Sequence, residues 1–149
     1  MTKPPQDPAL FTFFNEIGIL SQLSSNAFER VMPHGLTMSQ FSVLNHLARL
    51  GDGKSPSHLA TAFQVTRGAM TNTLAKLEAS GFVDVRPDET DGRGKQVFLM
   101  KPGAKARGEA LGVLSPLLAD LLKAFPERDF RAAIPFLAKL REHMDAARD

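Results

Sequence analysis

The 149-residue chain has no cysteine, which excludes disulfides, thiolate metal sites and a cysteine redox switch. No apolar run approaches the roughly 18 residues that a membrane span needs. The opening "MTKPPQDPAL" lacks the apolar centre of a signal peptide. A soluble, cytoplasmic protein without a membrane partner is therefore expected. Internal repeats and low-complexity segments are missing as well. Charge of one sign is scarce: the net charge is only +2, too slight by itself to argue for a nucleic-acid partner.

Chemistry that would make an enzyme is thin. His34, His46, His58 and His143 show no ligand spacing, so neither a metal nor a cofactor is expected. No motif groups a nucleophile, a base and an orienting acid. "ARLGDGKS" (48–55) loosely matches a phosphate loop, but that mechanism needs a strand before it. A helical pattern stands there instead, and the protein is not expected to be an enzyme.

What is present is ordinary globular composition, 43% hydrophobic and 23% charged, at a length that suits one domain over residues 1–149. Pro4, Pro5 and Pro8 predict a loose arm. From there to Met32, Leu10, Phe13, Phe14, Ile17, Leu20, Leu23, Ala27, Phe28 and Val31 recur mostly at three- and four-residue steps, the period of an amphipathic helix. "PHG" (33–35) ends it. Thr37 and Gln40 have capping-box spacing before a stripe of Phe41, Leu44, Leu47 and Ala48, which Gly51 and Gly53 stop. Ser55 and Pro56 open a short third helix. Thr66 opens a fourth, which Gly81 closes. "FVDVR" and "KQVFLM" predict two strands, and helices over 103–124 and about 127–147 follow. Pro116 and Pro135 fall inside these last patterns and should kink them or shift a boundary. His46 falls on the polar side of its helix, where solvation is the simple expectation.

Two short helices, a tight turn and a hairpin predict a mainly α (α+β) fold, a winged helix-turn-helix over 36–101. Long helices at 9–35 and 103–147 flank it. Their apolar stripes exceed what a small central domain can cover, which predicts packing on a second copy. Turning residues 66–80 at about 100° per residue puts Met70, Leu74 and Leu77 on one side. Gly68, Ala69, Asn72, Ala75 and Lys76 fall on the other. Small residues allow close approach to another surface, and Asn and Thr can read base edges. At the wing tip, Arg93 between Gly92 and Gly94 suits a narrow, negative groove. The glycines allow tight turning, Asp91 can orient the Arg93 guanidinium, and Asp88 and Glu89 read as a solvated turn.

The stretch "LTMSQFSVLNHL" through "LATAFQVTRGAMTNTLAKLEASGFVDVRPDETDGRGKQVFLMKPGAK", residues 36–105, resembles the multiple-antibiotic-resistance regulators, the MarR family. The resemblance implies a homodimeric transcriptional repressor on a pseudo-palindromic operator in double-stranded DNA, released by a small, often aromatic ligand. Thr66, Arg67, Ala69, Thr71, Asn72 and Lys76 match the family's DNA-contacting stretch and Arg93 its wing arginine; Gly68 and Lys95 complete the residues expected to bind DNA. Asn72 stands where many members have a basic residue, and Gly68 where many have a hydroxyl, departures that leave the operator sequence open but not the DNA-binding role. The ligand pocket implied by the family falls among Phe14, Ile17, Phe28, His34 and Phe41, residues that at helical spacing are more often core.

Between Thr37 and Lys101, eight bases face six acids, a balance that suits a site-specific binder better than a DNA-coating protein. The competing expectation is a winged-helix dimer that serves as a protein-interaction platform, with little or no specific DNA binding.

Overall fold

The computed structural model describes residues 8–147; the loose arm expected around Pro4 and Pro5 lies outside the described residues. Helix α1 (Ala9–Val31) is followed by a single 3₁₀ turn at Pro33–Gly35 and then α2 (Met38–Leu50), α3 (Pro56–Ala62) and α4 (Arg67–Ala79). Strands β1 (Val83–Pro87) and β2 (Lys95–Leu99) come next, then α5 (Lys101–Ala124) and α6 (Glu127–Ala146). The chain divides into two compact units after Val113.

In the first unit, local chemistry sets the helix ends. The Thr37 hydroxyl accepts from the Gln40 amide and the Gln40 side chain accepts from the Thr37 amide, both at 3.1 Å. This is the full capping box, which satisfies two orphan donors at once. Ser55 caps α3 and Thr66 caps α4 through their hydroxyls, each at 3.0 Å. At the far end of α4, Gly81 takes the left-handed backbone at φ 76°. That lets the Phe82 amide donate to the Leu77 carbonyl and the Gly81 amide to the Glu78 carbonyl, both at 2.9 Å. This six-to-one and five-to-two pair is a Schellman ending.

The core of this unit gathers Phe41, Val43, Leu44 and Leu47 of α2, Leu59 and Ala60 of α3, and Met70, Leu74 and Leu77 of α4. Val97 of β2 and Ala106 and Ala110 of α5 are buried as well. Val43 is inside and Ala48 is exposed, so the α2 stripe is rotated slightly from the expected one. Strands β1 and β2 pair antiparallel with Val83 opposite Leu99. On its other side β2 meets the segment before α3: the Val97 amide donates to the Lys54 carbonyl, and its carbonyl accepts from the Gly53 amide, both at 2.9 Å. The Asp52 carboxylate accepts from the Leu99 amide at 2.7 Å. Gly53, expected only to end a helix, thus also sits in a short third rung of the sheet at φ 82°.

Gly103 is placed by contact. A Cβ there would overlap the Phe82 carbonyl oxygen, so only glycine lets α5 begin so close to the root of β1.

Helix α5 passes through Pro116 and α6 through Pro135, so neither proline sets a boundary as expected. Each removes one amide donor, and the turns on either side keep the helix continuous. The second unit's α6 has no buried residue among those described. Phe130, Ile134, Phe136, Leu137 and Met144 are all exposed along it. No described helix is long and apolar enough to cross a membrane.

Candidate nucleic-acid interface

The exposed face of α4 starts from its cap. Thr66, Arg67, Gly68, Ala69, Thr71, Asn72, Ala75 and Lys76 are exposed, while Met70, Leu74 and Leu77 are buried. The core side anchors the helix, and the outer side is short-chained and uncluttered. A Cβ added at Gly68 would meet no atom within 4 Å, so that glycine keeps the surface low rather than easing an internal clash.

The polar groups of this face are not equally free. One guanidinium nitrogen of Arg67 (Nη2) donates to the Ser57 hydroxyl of α3 at 2.5 Å. Thr71, Asn72 and Lys76 make no side-chain hydrogen bond or ion pair among the described residues. Sequence spacing put Arg67 with the others, because its partner lies ten positions back on a different helix.

The wing is fastened to this helix at its root. The Glu78 carboxylate accepts from the Val85 amide at 2.9 Å, which gives the acid in "LEASGFV" a structural task. Arg86 is engaged within the hairpin: it pairs with Asp84 at 2.7 Å and its guanidinium carbon lies 4.3 Å from the Phe98 ring centre. Arg93 and Lys95 are exposed, and neither is in an ion pair among the described residues. The wing therefore presents them, and not Arg86, as its available cations.

The loop between the strands departs from expectation in three ways. Asp91 accepts from the Arg93 backbone amide at 3.1 Å, so it supports the arginine through the main chain and does not clamp the guanidinium. Gly92 and Gly94 keep negative φ, so the turn does not depend on left-handed backbone at either. The work falls to Asp88, expected only to be solvated. Its Oδ1 accepts from the Thr90 amide at 2.9 Å, the Thr90 hydroxyl at 2.8 Å and the Asp91 amide at 3.3 Å. Chiefly the backbone hydrogen bond from Thr90, then that from its hydroxyl, holds the Asp88 carboxyl below its ordinary value. A short side chain accepting three donors two and three residues ahead is an Asx-type turn.

The residues expected to line a ligand pocket lie in different surroundings. Phe41 is buried in the core, Phe14 is exposed on α1, and Ile17 and Phe28 are half-buried there. His34 has φ 60°. Its Nε2 meets Glu109 of α5 at 2.6 Å, and its ring stands edge-on to Phe82 with centroids 5.5 Å apart. A groove of about 220 Å³ runs elsewhere, between Met38, Ser39 and Ser42 of α2 and Val65, Ala69, Met70 and Thr73 by α4. Ser42 and Phe63 also border a second, of about 140 Å³, with Asn45, His46, Arg49 and Leu50. None of the five expected residues lines either groove.

His46 is not simply solvated, as its place on the polar side of α2 suggested. Its Nε2 is buried without a hydrogen-bond partner, and its ring lies 5.4 Å from that of Phe63. Burial, followed by the nearby charges of His58, Lys54 and Arg49, lowers its pKa and favours the neutral ring. Among the described residues no cluster of three or more His, Cys, Asp or Glu could hold a metal ion.

Residues 34–94 match the model of the MarR family. Over its length the chain follows the structure of the transcriptional regulator BldR from Sulfolobus solfataricus, with a TM-score of 0.77 at 25% identity, covering 91% of this chain and 99% of that one. Across residues 34–94 the chain resembles the MarR family. Proteins it is similar to are transcriptional regulators. Among curated proteins, the chain is 29% identical to the transcriptional activatory protein BadR of Rhodopseudomonas palustris over 136 residues, 89% of this chain and 77% of BadR. Its fold also matches the C80S mutant of MarR from E. coli complexed with operator DNA, at a TM-score of 0.78 and 23% identity over 89% of this chain and 95% of that one.

Proposed function

We propose that this regulator acts as a homodimer on a pseudo-palindromic operator in double-stranded DNA, with one α4 in the major groove of each half-site and the Arg93 wing beside it. The observation that carries this is the outer face of α4, small and polar from Thr66 to Lys76, next to a wing whose Arg93 and Lys95 have no internal ion-pair partner. Helices lying on a protein surface without such a task bury long Lys and Glu stems or pair their charges; this one does neither. The match in fold to operator-bound MarR from E. coli supports the same assignment. The exposed apolar rows along α1 and along α6 each support dimerisation, since exposed apolar rows mark interaction surfaces. Such a protein acts where the DNA is, in the cytoplasm.

Repression follows if the operator overlaps the promoter, with release by a small aromatic ligand through Phe14, Ile17, Phe28, His34 and Phe41. A ligand that prefers a spacing of the two α4 helices other than one DNA turn, about 34 Å, lowers operator affinity by population shift. BadR, by contrast, is named as an activator, which favours activation as a second outcome. The sign then depends on where the operator lies relative to the promoter.

The deciding experiment selects binding sites from random and genomic fragments and titrates the winners at two salt concentrations. A palindrome with half-sites about ten base pairs apart and a steep salt dependence is the expected result. Sequence-blind binding, or none, would instead favour a dimer that works as a protein-interaction platform.

A further inference from the structure

The geometry points to a division of labour on the DNA-binding face that rests on the function proposed above. Ser57 of α3 is a positioning residue that commits Arg67 to the DNA backbone, and base reading falls to Asn72, with adenine as its cognate base in each half-site.

Arg67 is the first residue of α4, and its guanidinium is already turned back across the helix-turn-helix to the Ser57 hydroxyl at 2.5 Å. A guanidinium has five N–H donors in a fixed plane. The Ser57 bond uses one Nη2 proton and leaves four donors, but it fixes the direction in which the guanidinium plane faces. The remaining donors sit at the join of α3 and α4, and the serine hydroxyl, having accepted, still has its own proton to donate. Two donors side by side with a positive charge suit a phosphate oxygen. Phosphates carry no sequence information but set register on the duplex.

Asn72 is in the opposite situation. It lies five residues further along α4, exposed, with a side chain that makes no hydrogen bond among the described residues. Its neighbours one turn away on that face are Ala69 and Lys76, and Gly68 adds no bulk, so nothing stops the amide from approaching a base edge. An amide offers one acceptor and one donor side by side, which complements N6 and N7 of adenine. Lysine at 76 is a single flexible point charge and cannot impose that pattern.

The test measures the affinity of the full-length protein for its selected operator and for a set of operators changed one base pair at a time, at several salt concentrations. Wild type is compared with N72A, R67A, S57A and S57T, after circular dichroism shows that each folds. The expected results are as follows. N72A loses roughly 5- to 150-fold on the operator, the span of one bidentate base contact. It also becomes indifferent at one A·T pair per half-site while keeping the wild-type salt slope. R67A weakens every operator by the same factor and lowers the salt slope by about one. S57A weakens all sites uniformly by a smaller factor, and S57T restores them. The inference is overturned if R67A erases a base preference, or if N72A weakens all sequences alike. A wild-type protein that shows no preference among the sequences removes the proposed function itself, and so is told apart from either.

Discussion

Two regions built from equally good helices meet opposite fates. In α2, Val43 and Leu44 are fully buried and every stripe position but Ala48 is inside. In α6, with a comparable amphipathic pattern, no described residue is buried, and Ile134 and Phe136 are each almost 60% exposed. Helix α1 resembles α6: Leu10, Leu20 and Leu23 are at least 60% exposed. Period alone therefore says that a face will be covered, not by what. The α2 stripe closes against its own chain; the α1 and α6 stripes stay largely exposed. Under the homodimer proposed above, the difference separates what the chain covers by itself from what it leaves for a second copy.

That contrast can be broken first in the core. Leu44→Ala removes a fully buried side chain and is expected to cost about 2–5 kcal/mol, read as a lower denaturant midpoint. Leu20→Glu makes the opposite test. In a monomer, an exposed position of this kind changes stability by no more than about 0.5 kcal/mol. In the proposed homodimer it buries a charge without a partner and shifts sedimentation towards monomer. A variant that stays dimeric would move the interface away from α1.

Gly103→Ala sharpens the contrast from inside, since the added Cβ would overlap the Phe82 carbonyl. A loss of about 1–3 kcal/mol is expected from overpacking, and a variant of wild-type stability would mean that α5 can lift away at no cost. Arg93→Ala leaves thermal stability unchanged, because the side chain has no ion-pair partner among the described residues. It should lower the salt slope of operator binding by about one.

The smallest effect is a pH dependence of the wing. Because the folded Asp88 carboxyl titrates below its ordinary value, its contribution to loop order is complete above the ordinary carboxylate range. It is lost as pH falls through the lower, folded value. Amide exchange at Thr90 and Asp91 should quicken in acid relative to the rest of the hairpin, and Asp88→Asn should remove most of that difference. Equal acid sensitivity in wild type and variant would show that another group governs the loop.

How much of this was written in the sequence depends on how far apart the partners lie. The Thr37–Gln40 box, the caps at Ser55 and Thr66 and the stop at Gly81 are interactions of residues a few positions apart, so spacing reveals them. The outward face of α4 was legible for the same reason. Gly103 was seen only as part of a family-like "KPGAK", because the carbonyl that demands it belongs to Phe82 and approaches through tertiary packing. Arg67 and Ser57, Glu78 and Val85, and Asp52 and Leu99 were hidden likewise: each joins two elements whose mutual placement no local pattern encodes. His46 was misjudged because helical phase reports which side of a helix a residue occupies, not what a neighbouring helix lays over it. Asp88 is the instructive exception. Its donors are only two and three residues away, and "D-x-T-D" is a readable turn signal that its charge overshadowed.

The unencumbered amide of Asn72 has an evolutionary consequence. A side chain that caps no helix, pairs with no strand and fills no cavity can be exchanged without asking anything of the rest of the molecule. Under the division of labour inferred here, one codon re-addresses the regulator to a different set of promoters, while the groups that grip the DNA backbone and hold the wing stay as they are. Regulators of this build can thus diverge in target first and in architecture hardly at all.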